Sequence, residues 1–228
     1  MVTAAAIALQ SLLALDSMYP ARVAAVASAV LVLAVAGLGR WHQHARIGAA
    51  NLVTGGRALI LALVASVALA PEAPARTWPL VLIATAGAAA DVLDGILARR
   101  SGMSSRFGAR FDMEVDALLV LVLSLLAWRA AHVGPWIVAA GVMRYAFIAA
   151  GWLLPWMRED LPASRRRQTA CVVQIVALIV ALIPGLPSGW ASAIAGSGLA
   201  LLAWSFAVDV QWLFLQRRPD LADALNHR

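Results

Sequence analysis

The sequence predicts an all-α, polytopic membrane protein: a six-helix transmembrane core preceded by one extra N-terminal transmembrane helix. Three observations predict it. Of 228 residues, 62% are hydrophobic and only 13% are charged, whereas a soluble domain of this size carries roughly 25% charge. The apolar residues gather in seven runs that approach or reach the roughly 20 residues a helix needs to cross a bilayer. Arg residues crowd the short segments between alternate runs, as juxtamembrane cations do.

The first run extends from Val23 to Leu38, the second from Ala49 to Ala70 and the third from Trp78 to Ala98. The fourth covers Gly108 to Trp128 and the fifth Pro135 to Trp156. Gln168 to Val208 holds no charge at all, and its Pro184-Gly185-Leu186-Pro187-Ser188-Gly189 insert reads as a turn. That turn divides the stretch into a sixth run, Gln168 to Ile183, and a seventh, Trp190 to Leu215. Residues 1–21 lack a basic leader, and Asp16 and Pro20 interrupt them, so no secretory signal is expected there. The expected division is an N-terminal extension with one helix, residues 1–46, and a membrane domain, residues 47–228.

All 18 basic residues are Arg, and the net charge is +6. Their scatter in short clusters fits anionic headgroups and a phosphate site rather than the continuous basic face that nucleic acid requires. If the loop from Arg99 to Arg110 is cytoplasmic, 14 Arg lie on that side and only three, Arg22, Arg76 and Arg129, on the other. The expectation is therefore an integral membrane protein, of a bacterial inner membrane, with an outward N-terminus and a cytoplasm-facing site. Trp41, Trp78, Trp128, Trp136, Trp156, Trp190 and Trp212 sit near run ends, where interfacial aromatics belong. The single cysteine, Cys171, excludes an internal disulfide. His42 and His44 read as interfacial residues rather than ligands, because positions two apart do not share a helix face.

The chemistry lies in the acids. Four of the nine Asp fall between residues 91 and 116, on or at the ends of apolar runs. A carboxylate inside a span costs several kcal/mol unless it is paired or lines a polar cavity. Asp91, Asp94, Gly95 and Ala98 stand at i, i+3, i+4 and i+7, one stripe of a helix. Gly108, Asp112 and Asp116 stand at i, i+4 and i+8, one stripe of the next. A short loop should make these two helices antiparallel neighbours. Four converging carboxylates repel unless a cation neutralises them. Oxygen-only ligands favour Mg²⁺ or Mn²⁺, and four carboxylates suffice for two ions, an arrangement suited to phosphoryl chemistry.

The run Asp91-x-x-Asp94-Gly95-x-x-Ala98-Arg99, followed after eight residues by Gly108-x-x-x-Asp112-x-x-x-Asp116, resembles the complete signature of the CDP-alcohol phosphotransferase family. The resemblance implies a six-helix core and a reaction in which a hydroxyl acceptor attacks the lipid-linked phosphorus of a CDP-alcohol such as CDP-diacylglycerol, releasing CMP. It further implies that Asp91, Asp94 and Asp112 hold two divalent ions. Asp116 would lie beside those ions and act as the base on the acceptor hydroxyl. Gly95, Ala98 and Gly108 would leave room for the nucleotide, and Arg99 would meet phosphate. Asn51, Thr54 and Arg57 resemble the family's Asn-x-x-Thr-x-x-Arg segment flanking the nucleotide. A homodimer is also implied.

The Arg165-Arg166-Arg167 cluster and the mid-run Arg144 are candidate contacts for a polar acceptor such as glycerol phosphate or inositol phosphate, since guanidinium pairs well with phosphate. A guanidinium at the depth of Arg144 needs a partner, and Asp209 is a candidate. Two alternatives compete: a Mg²⁺-dependent intramembrane prenyltransferase, and a cation transporter. The first expects a second Asp-rich motif, which the C-terminal half lacks. The second expects polar groups through the whole membrane depth, whereas these acids gather at one end.

Overall fold

The computed structural model describes residues 2–13, 15–41, 49–71, 76–101, 106–131, 133–159, 161–162 and 164–226, with side chains described outside 2–5, 12, 31–55, 57–58, 90–112 and 217–226. The described residues form eight α-helices: α1 (Val2–Leu12), α2 (Tyr19–Trp41), α3 (Ala49–Ala68), α4 (Trp78–Ser101), α5 (Arg106–Ala131), α6 (Val138–Leu153), α7 (Arg165–Ala181) and α8 (Ser188–Asn226). Helices α2 to α8 cover the seven apolar runs in order. Two stretches, Pro135–Leu153 and Ser188–Gln216, meet the length and hydropathy of a membrane span by themselves. His42 and His44 lie outside the described residues.

Helix ends follow from local chemistry. Leu154, before Pro155, adopts an extended conformation with φ −121° and ψ 94°, because the proline ring disfavours helix in the preceding residue. The chain then makes a 3-10 turn, Pro155–Arg158, so the fifth run ends in two pieces rather than one long helix. Gly185 has φ 82° in the turn between α7 and α8, a conformation that costs a side-chain-bearing residue about 1 kcal/mol or more.

Helix α1 is the one element the sequence reading did not anticipate. Its 11 residues are apolar but too few to cross a bilayer, so the search for span-length runs passed over it. It packs on α2, and Ala6 is buried in the same core as Tyr19, Val23, Leu61 and Leu123. The Tyr19 hydroxyl donates to the Leu63 carbonyl at 3.1 Å. The N-terminal extension therefore shares a core with the helices that follow.

Helix α5 is the hub, packing against α2, α3, α6 and α7. Its buried Leu119, Leu123 and Leu126 share one cluster with Val64 and Val67 of α3, Leu178 of α7 and Leu182 just after it. Small residues set the closest approaches, as between helices in lipid, where contact distance rather than water exclusion drives packing. A β-carbon on Gly141 of α6 would overlap the Leu121 backbone of α5, and one on Gly198 of α8 would overlap the Gln174 amide of α7.

Arginines close the end of the bundle where α2 starts and α3 stops. Arg129 donates to the carbonyl of Ala68, the last residue of α3, and at 3.1 Å to that of Pro71 beyond it. Arg76 donates to Leu186 O at 2.7 Å, in the turn that follows α7. Arg22 holds both oxygens of Asp16 at 2.9 and 2.5 Å. These are the three Arg that the charge count set apart from the other clusters, and each is engaged within the protein.

Candidate active site

Helix α4 runs unbroken through Asp91, Asp94, Gly95, Ala98 and Arg99, and α5 through Gly108, Asp112 and Asp116. The helical spacings on which both stripes depend are therefore present in the backbone. Only residues 102–105 separate the two helices. Asn51, Thr54 and Arg57 occupy the first turns of α3, which packs against both α4 and α5. The three motif-bearing helices thus form one packed group.

Asp116 is the acid of the four whose side chain is described, and it is partly buried. Asp91, Asp94 and Asp112 lie among the residues whose side chains are not described, as do Asn51, Thr54, Arg57, Gly95, Ala98, Arg99 and Gly108. Among the described residues no three His, Cys, Asp or Glu side chains gather as a metal cluster. The donor set nonetheless suits hard cations: four carboxylates and no thiol or imidazole on the two stripes.

The basic residues are placed more fully. Arg144 of α6 forms an ion pair with Glu114 of α5, not with Asp209. The candidate partner fails because Asp209 is already taken. It lies on α8, only 6% exposed, and accepts from Arg166 at 2.5 Å and Arg167 at 3.4 Å, both on α7. Arg166 also donates to the Ser205 carbonyl and, at 3.1 Å, to the Ser205 hydroxyl, and its guanidinium stacks 5.7 Å from the Trp204 ring centroid. Arg167 donates in addition to the Pro162 carbonyl. Arg165 is exposed, and among the described residues it makes no ion pair. Of the three-arginine cluster, then, one guanidinium faces outward and two clamp α7 to α8.

Sequence reasoning missed Glu114. It sits between Asp112 and Asp116 but off their stripe. At about 100° per residue it falls roughly 160–200° round α5 from both. The available signal was the mid-run Arg144, which required an acid at similar depth, and Glu114 was the nearest unassigned one.

Two consecutive helices, α4 and α5, thus carry paired acids beside small residues. The family model for CDP-alcohol phosphatidyltransferase matches residues 47–209, and the chain belongs to that family. Its members transfer the phosphatidyl group of a CDP-alcohol to an alcohol acceptor in phospholipid biosynthesis, and are generally dependent on divalent metal. The match starts where the expected membrane domain starts and includes every signature residue. Searches of the curated proteins and of the solved structures return no match to this chain.

Proposed function

We propose that this protein is a phosphatidyltransferase that moves the phosphatidyl group of CDP-diacylglycerol to a phosphorylated polyol, such as glycerol phosphate or inositol phosphate, and releases CMP. The observation that carries the reading is the pair of uninterrupted helices, α4 and α5, bearing all eight signature residues inside the matched family region.

In this reading Asp91, Asp94 and Asp112 hold two Mg²⁺ or Mn²⁺ ions, with Asp116 beside them. The ions, when bound, neutralise charge on the transferred phosphate and on departing CMP. Asp116 accepts the proton of the acceptor hydroxyl, whose oxygen attacks the lipid-side phosphorus as the bond to CMP breaks. Gly95, Ala98 and Gly108 leave space for the nucleotide against the helix backbones. Asn51 and Thr54 supply hydrogen bonds to it, and Arg57 and Arg99 meet its phosphates.

The acceptor side of the reading rests on Arg144 and Arg165, Arg166 and Arg167. Arg165, exposed at the start of α7, is the member best able to meet an anionic acceptor. Arg144, Arg166 and Arg167 already hold carboxylates, which an acceptor phosphate would have to displace. We further propose that all seven long helices cross a bacterial inner membrane, that the acid end faces the cytoplasm, that residues 1–46 are an extension of the core, and that the chain works as a homodimer.

The test is an acceptor screen with purified protein, CDP-diacylglycerol and Mg²⁺ or Mn²⁺, following CMP and the lipid product. Glycerol phosphate or inositol phosphate should yield CMP and an anionic phospholipid in equal amounts, and the unphosphorylated alcohols should not. Turnover with serine or free inositol alone would overturn the acceptor class while leaving the reaction type in place.

A further inference from the structure

Glu114 and Arg144 link α5 to α6 within the turns that carry Asp112 and Asp116. The pair is half-buried, with side-chain exposures of 44% for Glu114 and 30% for Arg144. The Arg144 Nε is buried and has no hydrogen-bond partner, so Glu114 is the acceptor that this guanidinium has been found to use. A second contact lies further along the same interface, where Gly141 admits the Leu121 backbone. Leu121 is seven residues from Glu114, two helical turns along the same face of α5. Helix α6 therefore seats on α5 at two points of one face, and that face is turned roughly 160–200° from the Asp112 and Asp116 positions. Helix α3 packs on α5 as well.

We propose that Glu114, held by Arg144, is a positioning residue for the acid stripe. It fixes the rotation and axial position of the α5 turns from which Asp112 and Asp116 project, so that they meet the acids of α4. A rotation of α5 by one residue's worth, about 100°, would carry both carboxylates off their neighbours. The buried Leu119, Leu123 and Leu126 set the coarse rotation of α5, and the directional ion pair adds a tie at the very turns that carry Asp112 and Asp116. In this account Arg144 acts on the acid stripe through Glu114. The inference rests on the proposed metal role of the four aspartates.

Mn²⁺ binding to the purified full-length protein, read by electron paramagnetic resonance without substrate, tests it. Wild type should bind Mn²⁺, and Glu114→Gln and Arg144→Gln should each weaken binding by roughly tenfold, the low end for residues that orient metal ligands. The charge-swapped double variant, Glu114→Arg with Arg144→Glu, should recover at least half of that loss on a logarithmic scale. Leu126→Ala removes a buried side chain from the same helix and serves as the purely structural control. It should lower the thermal midpoint and leave Mn²⁺ affinity unchanged. Should neither neutral variant fold, Arg144→Lys, which keeps the charge but loses the planar fork, must still weaken binding beyond twofold. The proposal is overturned if the single variants bind within twofold of wild type, or if Leu126→Ala loses affinity in step with its thermal midpoint. A wild type that binds no Mn²⁺ would overturn the metal reading itself, and is thereby told apart from a failure of Glu114 alone.

Discussion

The two ends of the helical bundle use arginine in different proportions of backbone and carboxylate contacts. At the end where α3 and α7 stop, Arg129 donates to the carbonyls of Ala68 and Pro71 and Arg76 to that of Leu186, and of these three arginines Arg22 alone pairs with a carboxylate, that of Asp16. Toward the other end, Arg144 and Arg166 are matched to side-chain carboxylates of a neighbouring helix. Capping a carbonyl requires only a donor, and the charge adds modestly. Pairing a carboxylate within an apolar bundle commits both partners, because either one left alone is a costly charge. The first end is thus closed mainly by replaceable hydrogen bonds, with one exposed ion pair, Arg22–Asp16. The second is held by ion pairs between neighbouring helices, and substitutions there should cost more.

The sharpest way to break this contrast is at the acid stripe. Asp116→Asn keeps the size of the side chain but removes the base, and should lower the transfer rate by about a thousandfold, within the range for general-base loss. Binding of CDP-diacylglycerol should stay within about threefold of wild type. Equal loss of metal and donor binding would instead make Asp116 chiefly a metal ligand. Next in size, Asp209→Asn leaves Arg166 and Arg167 without their shared carboxylate. It should destabilise the protein by about 3 kcal/mol in denaturant unfolding, as when one member of a buried pair is removed. A change below about 1 kcal/mol would mean that the α7–α8 clamp is solvated and adds little.

At the capped end the losses should be smaller. Arg129→Met removes the donor to Ala68 and Pro71 while keeping an apolar stem, and should cost about 1–2 kcal/mol with unchanged activity. The smallest effect belongs to Asp16. The Arg22 guanidinium, hydrogen bonded to it, holds its carboxyl below the usual 3.8. A lowered value in the folded state means that the latch is complete above pH 3.8 and is lost as pH falls through the lowered value. Hydrogen exchange in the α1–α2 turn should therefore rise at the acid limit. Asp16→Asn should abolish that dependence, and a turn whose exchange ignores both the acid limit and the substitution would show that the latch is idle.

Much of the helical framework was legible because the apolar runs are long and their boundaries chemically marked. The turn holding Gly185 divides α7 from α8 as the sequence indicates, whereas Pro155 ends α6 within the fifth run, which the sequence reading carried on to Trp156. Helix α1 was hidden by the opposite circumstance, a segment apolar enough to pack but shorter than a span. The acid stripes were readable because helical periodicity alone brings Asp91 to Asp94 and Asp112 to Asp116. The partner of Arg144 was not, since Glu114 and Asp209 both lie on other helices and choosing between them needs the packing of α6 on α5 and of α7 on α8. The same holds for Arg165, Arg166 and Arg167, adjacent in sequence yet sent to different surroundings by about 100° of helical turn each.

The account depends most on the meeting of the α4 and α5 acids around divalent ions. An experimental structure of the protein with Mn²⁺ and CDP, with manganese located by anomalous scattering, tests this directly. Two manganese peaks bridged by Asp91, Asp94, Asp112 and Asp116 and touching the pyrophosphate are expected. Manganese bound elsewhere, or carboxylates of α4 and α5 turned to separate faces with CDP bound, would contradict it.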